Sequence, residues 1–248
     1  MPLQIIEPRR LYRQIADQLR ALIDRGEYAV GSRLPPERDL AQQLGVSRPS
    51  VREALIALEV EGLIEVRMGS GIYVREGERR SPGPATAEGP LETIRARQLI
   101  ESELAAHAAR VMTPTQVHGL RQAIATMEAE VGEGRMPVRG DRLFHVRIAA
   151  AADNSVLLRL VGELWDERRN PLFARLGSHF ETADSWRMAI GEHRNVIEAI
   201  DRADPDAARA AMSVHLARSH DRFTVSWTVD TPAAATPAMP ARTRHSGA

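Results

Sequence analysis

Four side chains in the second half of the chain have the types and spacing that metal binding requires. Asp141 and His145 stand four residues apart in DRLFH, so a helix would place a carboxylate and an imidazole on one face, suited to gripping a divalent ion. His193 and His215 lie inside two later helical segments, EHRNVIEAI and MSVHLARS. A single histidine on a partly apolar face is more often a hydrogen-bonded core residue, so the four together form the candidate site.

A second group of polar side chains suits contacts to nucleic acid. Arg48 and Arg52 are four residues apart and share a helix face, which suits bidentate contacts to guanine or clamps on phosphate. Ser47 and Ser50 add small hydrogen-bonding groups at the same end, and no acidic residue falls between positions 40 and 52. Helix-turn-helix geometry also serves structural roles, so these polar residues, rather than periodicity, favour DNA binding.

The elements that must position these arginines are two short helices. Pro35 and Pro36 fit the first turn of a helix that Gly45 ends. Ser47 is a good N-cap for a second helix, which runs to Gly62. This layout predicts a helix-turn-helix whose second helix reaches base edges in the major groove.

A hairpin follows the second helix. Residues 63–66 and 72–75 are rich in β-forming side chains and flank the sequence RMGSG, whose glycines permit positive φ and close backbone approach. The hairpin has the size and place of a wing. Residues 1–75 are therefore predicted to form a winged helix-turn-helix domain.

The remaining chain is predicted to be helical, so the whole protein is mainly α. Residues 76–90 are dense in Pro, Gly and charge and indicate a linker, and residues 229–248 indicate a disordered tail. Between them, residues 91–228 predict an antiparallel bundle of six to seven helices. The predicted helices cover residues 91–111, 114–131, 138–152, 155–168, 182–201 and 206–227, with a short apolar segment at 171–176.

Composition excludes several classes of protein. The 248 residues carry zero net charge, which averages away any local basic patch, and contain no cysteine for a disulfide framework. All 33 basic residues are arginine, so the lysines of pyridoxal-phosphate enzymes and P-loop nucleotidases are missing. With no signal segment and no apolar run of spanning length, we expect a cytoplasmic protein without membrane contact.

From Leu11 through Val74 the chain resembles the winged-helix domain of the GntR-type bacterial transcription regulators. Tyr12, the run LPPERDLAQQLGVSRPSVREAL, EGLIEVR and the G-x-G-x-[YF]-V ending stand in the order of that family. The resemblance implies that Arg38, Arg48 and Arg52 contact phosphates and bases of an operator and that Gly69 approaches the minor groove. For Arg38 the alternative is an ion pair with a neighbouring acid in ERDL. For Gly69 the alternative is a purely structural role in the turn.

Residues 91–226 resemble the ligand-binding (FCD) domain of the FadR-like branch of that family, on DRLFH, EHRNVIEAI and MSVHL. The resemblance implies a site of three histidines and one carboxylate that holds zinc, with nickel or manganese as alternatives, and leaves positions open for a small carboxylate effector. Arg97 matches a family arginine near the pocket and would pair with the effector, or else with Glu101 at i+4. Asn195 is a further candidate for the pocket wall.

The sequence thus predicts a homodimeric regulator that reads an inverted repeat in double-stranded DNA and responds to a small carboxylate. A purely structural metal in a dimerisation bundle is one alternative. A metal-dependent hydrolase or oxygenase is another, but it needs a general base. Glu192 directly precedes His193 and is expected to point to a different side of its helix, which disfavours catalysis.

Overall fold

A computed structural model of the protein describes residues 10–76 and 88–224. The predicted tail and most of the predicted linker, residues 77–87, lie outside these residues. Within them the structure is mainly helical with one small hairpin, which confirms the predicted fold class.

Three helices and the hairpin form the N-terminal unit: α1 (Leu11–Asp24), α2 (Glu37–Leu44), α3 (Arg48–Val60), β1 (Ile64–Arg67) and β2 (Gly71–Val74). Gly45 ends α2 with a φ of 67°, and the Ser47 hydroxyl caps α3 by accepting a hydrogen bond from the Ser50 amide at 3.3 Å. The antiparallel strands pair Ile64 with Val74. These features match the predicted helix-turn-helix and wing.

Seven helices make the C-terminal unit among the described residues. They are α4 (Pro90–Val111), α5 (Pro114–Gly132), α6 (Val138–Ala150), α7 (Ser155–Asp166), α8 (Pro171–Phe180), α9 (Ala183–Asp201) and α10 (Pro205–Thr224). The short apolar segment at 171–176 is the first part of a full helix, because the Asn170 side chain caps the start of α8. A 3-10 turn at Glu167–Arg169 separates α8 from α7, which ends two residues earlier than predicted.

Two apolar cores hold the units together. One surrounds Phe144 and Trp165 inside the helical bundle. The other fills the winged helix and continues into the bundle, where Phe173 on α8 and Phe223 on α10 pack against it. The winged helix is therefore docked on the bundle, and the start of α4, α8 and the end of α10 form the docking face.

Candidate metal centre and nucleic-acid interface

Three helices bring the four candidate ligands to one point. Asp141 and His145 come from α6, His193 from α9 and His215 from α10. All four side chains are buried, and one ligand atom from each lies within 4.8 Å of the others. The predicted i,i+4 pair does share one helix face, and the packing of α9 and α10 against it brings in the two separate histidines.

The spacing of the donor atoms fits a single ion. Asp141 Oδ1 lies 3.0 Å from His193 Nε2 and 3.4 Å from His145 Nε2, and the two Nε2 atoms are 3.2 Å apart. Two ligands each about 2.0–2.1 Å from a tetrahedral ion are separated by about 3.3 Å, and closer when the ion is octahedral. The converging atoms are mostly lone-pair donors, so a divalent cation suits the cluster.

Carboxylates outside the cluster orient the imidazoles. The Nδ1 atom of His145 contacts Glu101, and that of His215 donates to Glu192 at 2.9 Å. A proton held on Nδ1 leaves Nε2 with its lone pair toward the cluster, the arrangement usual for metal-binding histidines. Both carboxylates are buried and meet arginines, Glu101 with Arg97 and Glu192 with Arg222.

Glu192 lies closer to the site than its offset from His193 suggested, but it does not join the donor cluster. A one-residue offset rotates a side chain by about 100° along a helix, so Glu192 was expected to face away from His193. Both residues are buried, because α10 crosses α9 closely enough to receive the two side chains. Glu192 contacts His215 rather than the donor cluster, and is thus a positioning residue.

The surrounding charges set the protonation of the site. Burial alone would raise the pKa of Glu101, but Arg97 and His145 hold it at about 2. Burial would raise the pKa of Asp141, but the nearby His145 and His193 imidazoles outweigh it and keep that pKa well below its usual range. Burial and the nearby charge of His193 lower the pKa of His215 to about 3. Burial would lower the pKa of His145, but Glu101 and Asp141 raise it overall. A metal would displace the His145 proton, because carboxylate and neutral imidazole are the forms that bind metals.

A small cavity of about 30 Å³ adjoins Asp141 and His215. Its other lining side chains include Arg97, Arg168, Ser185, Trp186, Arg222 and Phe223. Trp186 is one of the lining residues, and its indole N–H is buried without a hydrogen-bond partner among the described residues. An unpaired buried donor is costly, so a polar ligand with an acceptor oxygen would suit this cavity.

The two predicted effector residues are placed differently. Arg97 lines the small cavity, while its guanidinium also pairs with Glu101 at 2.6 Å and lies 4.5 Å over the Trp165 ring. Asn195 is exposed and lines another, open cavity on the outer side of α9. Two residues along a helix correspond to about 200°, which turns Asn195 away from His193 and the metal side.

A larger cavity of about 760 Å³ lies on the other side of Arg168 and Glu181, which line both cavities. These two side chains form an ion pair at 2.5 Å. Arg168 was not predicted from sequence, because its segment was read only as the end of a helix. Its place between the cavities makes it a candidate contact for an anion.

The recognition surface divides the predicted DNA contacts into two groups. The exposed or half-exposed residues are Arg38, Ser47, Arg48, Ser50 and Gly69. Arg38 also pairs with Asp39 at 3.3 Å, the alternative that the sequence left open. Arg52 is only 1% exposed, and its guanidinium is engaged by Glu37 on α2. As placed here, Arg52 does not reach the surface.

Comparison with known proteins gives a consistent assignment. Residues 11–74 match the family described as bacterial regulatory proteins, gntR family, and residues 92–218 match the FCD domain. The chain is 41% identical over 224 residues to the Exu regulon transcriptional regulator of Escherichia coli K12, covering 86% of this chain and 84% of that protein. It is 38% identical to the Uxu operon transcriptional regulator of the same strain, covering 86% and 87%.

Solved structures share the fold. A Listeria monocytogenes protein described as Lar, which controls expression of the agr system, aligns with a TM-score of 0.50 at 17% identity, covering 88% of this chain and 99% of that chain. No helix within residues 10–76 and 88–224 combines the length and apolar character needed to cross a bilayer.

Proposed function

Since the chain belongs to the GntR family of bacterial transcriptional regulators and carries an FCD domain, we propose that it is a metal-containing regulator controlled by a small carboxylate. Two chains would form a homodimer, and their winged helices would read the two halves of an inverted repeat. The effector would change operator affinity, which requires that it bind the free and DNA-bound arrangements unequally.

The convergence of four buried donor atoms carries the metal part of this proposal. Asp141, His145, His193 and His215 would hold the ion, with zinc favoured and nickel or manganese as alternatives, because mixed imidazole and carboxylate ligands suit all three. When bound, such an ion supplies positive charge and a coordination position for a carboxylate oxygen. Glu101 and Glu192 keep the imidazoles oriented from outside.

The effector would occupy the cavity beside His215. Arg97, Arg168 and Arg222 line it and would attract a carboxylate in exchange for their present partners Glu101, Glu181 and Glu192. The cavity has a volume of only about 30 Å³. Binding would therefore require the Arg168–Glu181 ion pair to break, which would open the small cavity into the larger one. A small, anionic effector follows from these constraints.

On the DNA side, Arg48 is the side chain best placed to contact the operator. It is exposed at the start of α3, beside Ser47 and Ser50. Arg38 and Gly69 would contact the backbone and the minor groove from α2 and the wing. Arg52 would join them only after leaving its buried position.

The experiment that tests this function begins with a duplex enriched from a random-sequence library by the full-length protein. Arg48→Ala should weaken binding to that duplex by about 1–3 kcal/mol, because one good base contact is lost. Arg187→Ala on α9 is the matched control, since it removes an exposed arginine that pairs with Asp184. Equal affinity of Arg48→Ala and parent would show that Arg48 does not read the operator.

The effector part is tested by adding a panel of small carboxylates, each with its matching amide, to the protein–duplex complex. A carboxylate that changes parent affinity should have no effect on His145→Ala, which should still bind the duplex. If saturating zinc raises thermal stability and no carboxylate alters operator affinity, the metal is structural and the effector proposal is wrong.

A further inference from the structure

Arg52 lies on the proposed recognition helix, yet other parts of the same chain surround it. Its Nε and Nη2 atoms donate to Glu37 Oε2 at 2.9 and 2.5 Å, and Nη1 donates to the backbone carbonyl of Phe223 at 2.5 Å. The ring of Phe180 lies 5.6 Å from the guanidinium carbon. A carboxylate, a carbonyl and an aromatic face thus fill the space around this arginine.

The carbonyl that receives Arg52 belongs to a well-anchored end of α10. The Phe223 ring is 3% exposed and packs edge-on against Phe173 at 6.0 Å and Phe180 at 6.2 Å, both on α8. The preceding residue, Arg222, donates to Glu192 at 3.0 Å. The anchoring of this segment is therefore shared between the docking face and the surroundings of the candidate metal centre.

Further contacts fasten α3 to the bundle away from the proposed DNA face. Glu59 on α3 accepts from Arg175 at 2.7 Å and contacts His179 Nε2 at 2.7 Å. Glu53 accepts from the Leu91 amide at 2.7 Å, where α4 begins. These polar contacts border the apolar docking face, so α3 is held to the bundle at Glu53 and Glu59 as well as at Arg52.

A docked Arg52 and an operator-bound Arg52 exclude each other. The donors that would contact phosphate oxygens or guanine acceptors are already used, and α10 covers the path to solvent. The acceptors that hold Arg52 are of the same chemical kind as those DNA offers. From this we infer that the end of α10 is an internal competitor of the operator, which occupies Arg52 until the winged helix leaves the bundle.

This inference rests on the proposed DNA-binding function and adds a way for the effector to act on it. Arg222 and Phe223 line the small cavity beside His215. An occupant of that cavity would touch the segment that holds Arg52, and would change how often the docked state forms. The apparent operator affinity equals the affinity of the released form multiplied by its populated fraction, so loosening the docked state tightens DNA binding.

The test measures affinity for the enriched duplex without added carboxylate. Phe223→Ala removes the ring that anchors the end of α10, and Arg175→Ala removes a contact to Glu59 that faces neither the DNA nor the metal centre. Both variants should bind about three- to tenfold more tightly than the parent, since a larger fraction is released. Arg187→Ala should bind as the parent does.

A double variant identifies Arg52 as the residue that is released. Phe223→Ala should give no gain in an Arg52→Ala background, because the side chain that exchanges partners is absent. Hydrogen exchange of the amides of α3 should be faster in Phe223→Ala than in the parent, which reports release without DNA.

Two results would overturn the inference while leaving the proposed function in place. One is unchanged affinity of Phe223→Ala and Arg175→Ala for a duplex that the parent binds. The other is a gain that persists in the Arg52→Ala background. If neither the parent nor the variants bind any duplex, the proposed DNA binding is wrong, and the inferred competition for Arg52 is wrong as well.

Discussion

Two clusters of buried charged side chains, one at the docking face and one in the bundle, differ in how their hydrogen-bonding needs are met. At the docking face, the guanidinium of Arg52 meets the carboxylate of Glu37 and a backbone carbonyl, so donors face acceptors. In the bundle, Asp141 Oδ1 and the Nε2 atoms of His145 and His193 lie between 3.0 and 3.4 Å apart, so acceptors mostly face acceptors.

The difference indicates what each cluster can bind. The chain itself completes the arginine cluster, and only another set of acceptors can replace the present partners. The histidine cluster is short of positive charge at its centre, so a cation completes it. The arginine cluster is therefore suited to exchanging one set of acceptors for another, and the histidine cluster is suited to retaining an ion. Arg222 and Phe223, neighbours on α10, connect them through Glu192.

Removal of the central histidine should have the largest effect. His193→Ala takes away the imidazole closest to both Asp141 and His145, and a site left with three ligands and a void holds its metal poorly. Elemental analysis of untagged protein, purified without chelator, should give about one zinc, nickel or manganese per chain in the parent and less than about a tenth of that in the variant.

His107→Ala is the matched control for this loss, because His107 is exposed on α4. It should retain the metal content of the parent. Full metal content in His193→Ala would place the ion elsewhere, and a parent that stays metal-free after reconstitution would remove the contrast between the two clusters.

A substitution in the arginine cluster should change the stability of the protein rather than its metal content. Glu37→Gln leaves Arg52 buried without a carboxylate and also neutralises the partner that Arg48 contacts at 3.2 Å. Loss of one partner of a buried ion pair typically costs about 3–5 kcal/mol, less if the freed side chain can reach water. Urea unfolding followed by circular dichroism should show this decrease in the free energy of unfolding.

Glu27→Gln serves as the control for Glu37→Gln, since Glu27 pairs with Arg25 at the surface of the same unit. It should change stability by less than about 1 kcal/mol. A Glu37→Gln variant as stable as this control would mean that the arginine does not depend on its carboxylate, contrary to the complete pairing described above.

The winged helix could be predicted almost fully from sequence because its signals are local. Pro36, Gly45 and Ser47 mark helix ends within a few residues, and the structure uses Gly45 and Ser47 as expected. The four metal-site candidates were also found, since DRLFH and the two later histidines are recognisable as short motifs. In both cases the information lies within one helix or one turn.

The partners of these residues could not be predicted, because they come from elements distant in the chain. Arg52 contacts Glu37 fifteen residues before it and Phe223 171 residues after it. Glu192 reaches His215 only because α9 and α10 cross closely. Nothing in the helical period states which helix lies opposite, so burial of Arg52 and orientation of His215 depend on tertiary packing.

Another buried carboxylate sharpens the comparison, because its hydrogen bonds come from backbone amides rather than from a cation. Glu53 on α3 is 8% exposed and accepts from backbone amides at the start of α4. Burial raises the pKa of Glu53 to about 7, whereas arginine and histidine partners hold the pKa of Glu101 and of Glu192 at about 2. The backbone amides and the weaker attraction of Arg95 do not offset the loss of water around this buried charge.

The smallest of the three effects should therefore be a pH dependence of the free energy of unfolding that Glu53→Gln removes. The pKa of Glu53 is higher in the folded protein, about 7, than its ordinary value of 4.5, so folding favours the protonated form. Its contribution to stability is complete below pH 4.5 and is lost as the pH rises through 7. Glutamine keeps the carbonyl that accepts from Leu91 and cannot ionise, so the variant should be more stable than the parent by about 1–3 kcal/mol at pH 8 and equal to it near pH 4.5.

Urea unfolding across this range measures the difference, with the exposed Glu198→Gln as control. A parental slope in Glu53→Gln would mean that Glu53 is ionised in the docked state, and that backbone amides suffice where the other clusters use cations.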